Sequence, residues 1–320
     1  MNKAVFVIGP TASGKTSLGV DIARKIDSEI ISIDSRQVYT GLDLGTGKDI
    51  EEFGEGDDKV SYHLIDIADP VTDEYNLHTF LRDVVEAMQG LWHQGKIPVL
   101  VGGTSLYINA LLNGYDLAGC PPNLELRRAL EPLPLDELVE KLKAYPSMFA
   151  KTDKSTKKRV IRAIEVAVTA ETTPAVEIPE FDYILLAPYY HRKICHQRVE
   201  QRLDQRLADG MVEEVQGLHA SGVSWEKLDW FGLEYRYISM FLRGELERQE
   251  MRDRLLIKIR QFLKAQTVWL RKMEREGKDI YWIPDGNRSS AFMLVKKFLS
   301  SEGLPLPSIK ISEIHYGPKQ

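Results

Sequence analysis

Ala4-Val5-Phe6-Val7-Ile8-Gly9-Pro10-Thr11-Ala12-Ser13-Gly14-Lys15-Thr16 is the stretch that decides the fold. Its first five residues are continuously apolar and bounded by glycine, the pattern of a parallel strand buried on both faces. The next eight fit G-x-x-x-x-G-K-[ST] in full. Gly9 and Gly14 let the backbone turn tightly around an anion. Successive N–H groups point inward, and the amino end of a following helix adds positive potential. Lys15 brings a mobile positive charge for terminal phosphates, and the Thr16 hydroxyl can ligate Mg²⁺. Gly9, Pro10, Thr11, Ala12, Ser13, Gly14, Lys15 and Thr16 together form a phosphate-binding loop of the nucleotide-binding type. Nucleotide hydrolysis, phosphoryl transfer and departure of a diphosphate can all use such a loop.

Working outward, residues 17–25 have helical spacing, and 29–33 form a second apolar strand stopped by Asp34. Residues 63–67 read as a third strand, 76–93 as an amphipathic helix, 97–101 as a buried strand and 104–112 as a helix. Alternating strands and helices imply an α/β fold: a P-loop NTPase-like parallel sheet flanked by helices. The composition changes after Asn113. Turn residues up to Pro122, then Pro132 and Pro134, mark residues 114–154 as a small helical insertion domain, with a short helix over 135–143. The core is expected to occupy 1–113 and to resume over 155–300, and 301–320 is an irregular tail. Within that second part, 155–170 is a helix, 182–187 a returning strand, 192–221 a helix broken near Gly210, and 245–275 a further helical region.

Hydrophobic residues make up 43% of the 320-residue chain and charged residues 28%, enough to bury a core and against wholesale disorder. The net charge of −5 means that any nucleic-acid partner must be met by local basic patches. The two cysteines, Cys120 and Cys195, lie far apart without Cys or His neighbours, which excludes a disulfide framework and disfavours structural zinc. The short N-terminal apolar run suits neither a signal peptide nor a membrane span. A cytoplasmic chain with no membrane partner is the expectation, and nothing demands more than a monomer.

A typical P-loop ATPase has an acidic residue at the end of a buried strand. Here the obvious strand, Ile97-Pro98-Val99-Leu100-Val101, runs into Gly102-Gly103-Thr104. The carboxylate instead ends the second strand, in Asp34-Ser35-Arg36-Gln37-Val38-Tyr39. The carboxyl ends of neighbouring strands face one crevice, so Asp34, Thr104 and the loop are expected to share a site. Asp34 there serves as a general base or metal support, or it caps the following turn.

These segments, with His63-Leu64-Ile65-Asp66-Ile67-Ala68-Asp69-Pro70, Val101-Gly102-Gly103-Thr104-Ser105-Leu106-Tyr107, Arg159-Val160-Ile161-Arg162-Ala163-Ile164-Glu165-Val166 and Gln266-Thr267-Val268-Trp269-Leu270-Arg271, resemble the ordered motif series of the tRNA dimethylallyltransferases. The resemblance spans about residues 4–285. It implies transfer of a dimethylallyl group from dimethylallyl diphosphate to N6 of the tRNA adenosine just 3′ of the anticodon, with Mg²⁺. It implies that Asp34 takes the proton from the amine, that Thr11, Ser13, Lys15 and Thr16 stabilise the departing diphosphate, and that Thr104 lies where donor and acceptor meet. Asp34, Ser35, Arg36 and Gln37, and Lys158, Arg159, Val160, Ile161 and Arg162, are the implied tRNA contacts. Three segments depart from the family pattern: Lys264-Ala265-Gln266 lacks an arginine, Gly232-Leu233-Glu234-Tyr235-Arg236 has an altered middle, and Gly45-Thr46-Gly47-Lys48-Asp49 lacks a proline.

Two basic stretches suit RNA phosphates or are solvated helix faces: Lys151, Lys154, Lys157, Lys158, Arg159 and Arg162, and Arg252, Arg254, Lys258, Arg260, Lys264, Arg271 and Lys272. Competing readings are prenylation of free adenine nucleotides, a non-catalytic RNA-binding paralogue and a small-molecule kinase.

Overall fold

The computed structural model describes residues 1–114, 123–169 and 176–314. Cys120, the turn-rich stretch over 115–122, Ala170 and the tail beyond 314 lie outside the described residues. In chain order the elements are β1 (Asn2–Ile8), α1 (Lys15–Lys25), β2 (Ile30–Ser32), β3 (Tyr62–His63), α2 (Leu77–His93), β4 (Val99–Gly102), α3 (Ser105–Asn113), α4 (Leu124–Leu130), α5 (Leu135–Leu142), α6 (Pro146–Lys151) and α7 (Lys157–Thr169). Then follow β5 (Phe181–Tyr189), α8 (Arg192–Ala208), α9 (Met211–Ala220), α10 (Trp225–Phe231), α11 (Leu233–Leu242), α12 (Arg248–Arg275), β6 (Ile280–Pro284) and α13 (Arg288–Leu299). Backbone contacts divide the chain into one unit of Met1–Leu112 with Pro179–Gln320, and another of Asn113–Ile178.

The first unit is built on six parallel strands in the order β3-β2-β4-β1-β5-β6. β1 holds the middle: Val5 pairs with Val99 on one side and Ile184 on the other. Its residues from Ala4 to Ile8 are fully buried, as an uninterrupted apolar run requires. The connection after β1 runs to β2 on one side of the sheet and that after β4 runs to β5 on the other, so a ligand crevice is expected beyond the carboxyl ends of β1 and β4. α1 buries Leu18, Val20, Ile22 and Ala23 in the core beneath that crevice. Asn76 caps α2 by accepting from the His78 and Thr79 N–H groups. The expected break near Gly210 separates α8 from α9, with Gly210 in a left-handed conformation.

The third strand is shorter than its apolar pattern suggests. Only Tyr62 and His63 pair with β2, and the backbone turns away at Leu64 (φ 61°) and Asp66 (φ 56°). That turn brings the Asp66 carboxylate to the Lys48 ammonium. Lys48 is 1% exposed, and it also donates to Asp43 (2.6 Å) and to the Tyr39 carbonyl (2.8 Å). A buried ammonium needs such partners, and meeting that need ends the strand. The sequence pattern had assigned no element to α10, α11, β6 or α13.

In the second unit α7 packs on α4, α5 and α6 around Leu130, Leu138, Leu142, Val160, Ile161 and Ile164. The helical unit thus runs to Ile178 and includes α7, whereas the composition shift had suggested an insertion ending at 154. Val160 and Ile161, expected beside tRNA, are 0% and 4% exposed. They form the apolar stripe that holds α7 in place, and their side chains are not available to RNA. Glu165 is also buried. It accepts from Arg127 (2.8 and 2.9 Å), Arg162 and the Asn123 N–H, a paired carboxylate that fixes the start of α4.

Candidate active site

β1 ends at Ile8, and the loop that follows delivers Gly14 at φ 76°, the left-handed conformation glycine adopts without strain. Gly14 is the N-cap of α1. It supplies no side-chain cap, and the first turn of α1 carries no acidic residue, so its amides stay open to an anion. Ser13 is 2% exposed, and its buried hydroxyl has no hydrogen-bond partner among the described residues, an orphan that a phosphate oxygen would satisfy.

Beside this loop lies a cavity of about 290 Å³. Thr11, Lys15 and Thr16 wall it on one side, and Asp34, Ser35 and Thr104 on another, so the crevice expected from strand ends is present. Asp34 is half-buried, and its Oδ1 accepts from the Arg36 N–H at 2.9 Å. It therefore caps a turn and faces the cavity at once. Thr104 Oγ1 accepts from the Ser35 N–H at 3.1 Å, which ties the loop after β4 to the loop after β2. Gln37 lines the cavity, but its amide is engaged: its Oε1 accepts from Ser32 Oγ and its Nε2 donates to the Gly47 carbonyl. Arg36 donates to the Trp230 carbonyl at 3.0 Å, with its guanidinium 4.0 Å from the centre of that indole. β4 ends at Gly102 and adds no carboxylate.

Distant helices also supply wall residues that were not expected there, among them Arg202, Arg206, Glu234 and Gln266. Arg202 and Arg206 sit one turn apart on α8 and share one carboxylate, Asp49, at 2.6 and 3.3 Å. Arg202 also donates to the Gly47 carbonyl (3.5 Å), and a methyl group at Gly47 would overlap both guanidinium groups. At φ 68° a side chain here would be strained as well, so glycine suits the point where these arginines close in. Their only trace in the sequence is their i,i+4 spacing; Glu234 and Gln266 stand within segments of the motif series.

The electrostatics follow from burial. The Lys15 ammonium is pushed down to about 8, chiefly by desolvation and then by Arg202, while Asp34 and Asp49 pull it upward. Arg202 is lowered by burial and by Arg206. Burial raises the Glu234 carboxyl against the opposing pull of Arg206 and Arg202. Positive groups here crowd one another around a space, as in a site built for a multiply charged anion.

For a metal, Thr16 and Asp34 offer oxygen donors on this cavity. No cluster of three or more His, Cys, Asp or Glu suited to a metal occurs among the described residues. Mg²⁺ usually keeps several waters and takes one or two protein oxygens with substrate phosphates, so this sparse set fits it. A second cavity, of about 530 Å³, borders the loop at Pro10 and Ser13, with Tyr189, Leu263, Trp282 and the half-buried Cys195 in its wall.

Lys158, Arg159 and Arg162 belong to the second unit, where Arg159 pairs with Asp153 and Arg162 with Glu165. In the other basic stretch, Arg252 is held by Glu200 and Asp204, Arg260 by Glu200, and Arg254 by Glu250. Those arginines serve helix packing and helix-surface pairing.

Residues 37–273 match the IPP transferase family. The chain is 43% identical over 280 residues to tRNA dimethylallyltransferase 1 of Geotalea uraniireducens, covering 87% of this chain and 91% of that one. It is 44% identical over 282 residues to tRNA dimethylallyltransferase 2 of Shewanella sediminis, covering 87% and 92%. Its structure resembles the tRNA isopentenylpyrophosphate transferase of Bacillus halodurans, with a TM-score of 0.66, 28% identity and coverage of 94% and 96%. It shares its fold with a eukaryotic dimethylallyltransferase acting on tRNA, with a TM-score of 0.78 at 23% identity, covering 97% and 82%.

Proposed function

Because this chain belongs to the IPP transferase family, we propose that its central cavity joins a diphosphate donor to an adenine acceptor. The chain is an enzyme that transfers a dimethylallyl group from dimethylallyl diphosphate to N6 of the adenosine 3′ of the anticodon in tRNA, releasing diphosphate. In this reading the C1–O bond of the donor breaks and the bonding pair leaves with the diphosphate. The allylic carbon, its positive charge delocalised, is attacked by N6, and the N6 proton passes to Asp34.

The amides at the start of α1, the Thr11 hydroxyl and Lys15 face the charge that develops on the leaving group, with Arg202 and Arg206 at its other side, and the orphaned Ser13 hydroxyl is the further donor proposed for it. Such fixed donors need little reorganisation during the reaction. Thr16 would hold Mg²⁺, which when bound supplies further positive charge to the diphosphate oxygens. The adenine amine is a poor nucleophile, so its placement near Thr104 and its deprotonation both matter. The base must leave its stack to enter, at about a few kcal/mol. Ser35 and Arg36 at the cavity, and Lys158, Arg159 and Arg162 in the second unit, are the proposed tRNA contacts. We propose a monomer working in the cytoplasm; among the described residues no helix is long and apolar enough to cross a membrane.

The observation that carries this reading is the shared cavity of Asp34, Thr104, Lys15 and Thr16, combined with a β4 that ends without an acidic residue. A proton acceptor stands beside the anion cradle in place of a hydrolase's strand-end carboxylate. The test is incubation of mass-labelled dimethylallyl diphosphate with unmodified tRNA and, separately, with AMP. Label in tRNA alone is expected. Label in AMP alone would indicate a nucleotide prenyltransferase, and label in neither would leave an RNA-binding protein.

A further inference from the structure

We propose that Gln266 is a positioning residue that sets the distance between the phosphate cradle and Asp34. The proposal rests on the transfer reading above. Gln266 projects from α12, is 8% exposed, and belongs to none of the reacting groups. Its Oε1 accepts from the Thr11 N–H at 2.9 Å, and its Nε2 donates to the Gly103 carbonyl at 3.3 Å. Both partners are main-chain groups, one in the phosphate loop and one in the loop after β4.

The connection continues. Thr104, next to Gly103, accepts from the Ser35 N–H, and Asp34 accepts from the Arg36 N–H. A line of hydrogen bonds joined by single main-chain links thus runs from the cradle, through Gln266, Gly103 and Thr104, to the Ser35 amide, the residue next to Asp34. Packing leaves this line little slack, since a methyl group on Gly103 would lie 2.9 Å from both Gln266 Nε2 and the Gly9 carbonyl oxygen.

The residue type fits this task. A side-chain amide carries one acceptor and one donor at a fixed spacing, and here the acceptor must meet an N–H and the donor a carbonyl. A carboxylate at 266 would oppose the Gly103 carbonyl with a second acceptor. A thioether of the same length would take the side-chain partner from two part-buried main-chain groups. Transfer requires the donor carbon and N6 at about 3–3.5 Å with the base in reach, and a misplacement of about 1 Å can cost on the order of 10²-fold in rate.

The test uses Gln266→Met in the full chain, with single-turnover transfer measured at saturating dimethylallyl diphosphate and tRNA. Inorganic diphosphate and tRNA affinities are measured alongside, and thermal melting confirms folding. The transfer constant should fall by about 10²-fold while both affinities stay within about threefold. A double-mutant cycle with Thr104→Val should be strongly non-additive, because both changes cut one line. A wild-type transfer constant in Gln266→Met, or a loss that saturating donor restores, would overturn the proposal, as would full additivity. Should the variant not fold, Gln266→Asn, whose amide is one methylene short of spanning both partners, must show the same loss; a wild-type constant there overturns the proposal equally. If the wild-type protein itself transfers no label, the transfer reading falls and this inference falls with it; a normal wild type beside an unaffected variant removes the inference alone.

Discussion

Two faces of α8 use the same residue types to opposite ends. On one face, Glu200 and Asp204 meet Arg252 and Arg260 of α12, two carboxylates for two guanidinium groups, with Glu200 bridging both. Arg252 is pushed upward by its bonds to Asp204 and Glu200. On the other face, Arg202 and Arg206 divide Asp49 between them beside Lys15; burial and Arg206 push Arg202 down, and burial and Arg202 push Lys15 down. The first face is satisfied in net charge and holds two helices together. The second has surplus positive charge in a cavity, a state that an arriving polyanion relieves. Unmet electrostatic demand therefore separates the site from the scaffold better than the number of charges does.

The contrast can be broken most severely at Lys15. Lys15→Ala should lower kcat/KM for prenyl transfer by about 10³-fold, as expected for removing a preorganised donor to a leaving group. A loss under about tenfold would mean that Lys15 is bystander charge. Arg202→Ala should weaken inorganic diphosphate binding by about 10²-fold and raise the Lys15 ammonium, since Arg202 is the largest charge holding it down.

The pH dependence sharpens the same point. Free Lys15 loses its proton near pH 8, below its ordinary value, because burial disfavours the ammonium. A bound diphosphate favours the ammonium and raises that value again. Binding therefore takes up a proton above about pH 8, and diphosphate affinity should fall by up to about tenfold per pH unit there. Lys15→Met should flatten the profile; titration calorimetry in buffers of different ionisation enthalpy reads this proton uptake directly. The smallest effect belongs to the satisfied face. Arg252→Ala should cost about 1 kcal/mol of stability or less in a denaturant melt and leave transfer unchanged. A large loss of transfer there would erase the distinction between the two faces.

The sequence made legible whatever depends on local period and turn chemistry. The buried run before Gly9, the glycine spacing of the loop, Asp34 after the second strand, Thr104 after the fourth and the break at Gly210 all depend on neighbours in the chain. Features set by distant partners were hidden. The apolar pattern of residues 63–67 promised a strand, and no local signal showed that Asp66 turns away to reach the buried Lys48. Val160 and Ile161 read as motif positions beside basic residues, yet their partners Leu130, Leu138 and Leu142 keep them inside. Arg202, Arg206, Glu234 and Gln266 reach the cavity only because α8, α11 and α12 pack over the loop, which no spacing along the chain encodes.

The account turns on Asp34 as the proton acceptor beside a diphosphate cradle. Its most direct test is Asp34→Ala, assayed by single-turnover transfer from mass-labelled dimethylallyl diphosphate to unmodified tRNA, with inorganic diphosphate binding measured by calorimetry. Abolished transfer with diphosphate binding intact is the expected result. Turnover equal to that of the unaltered protein would contradict the account.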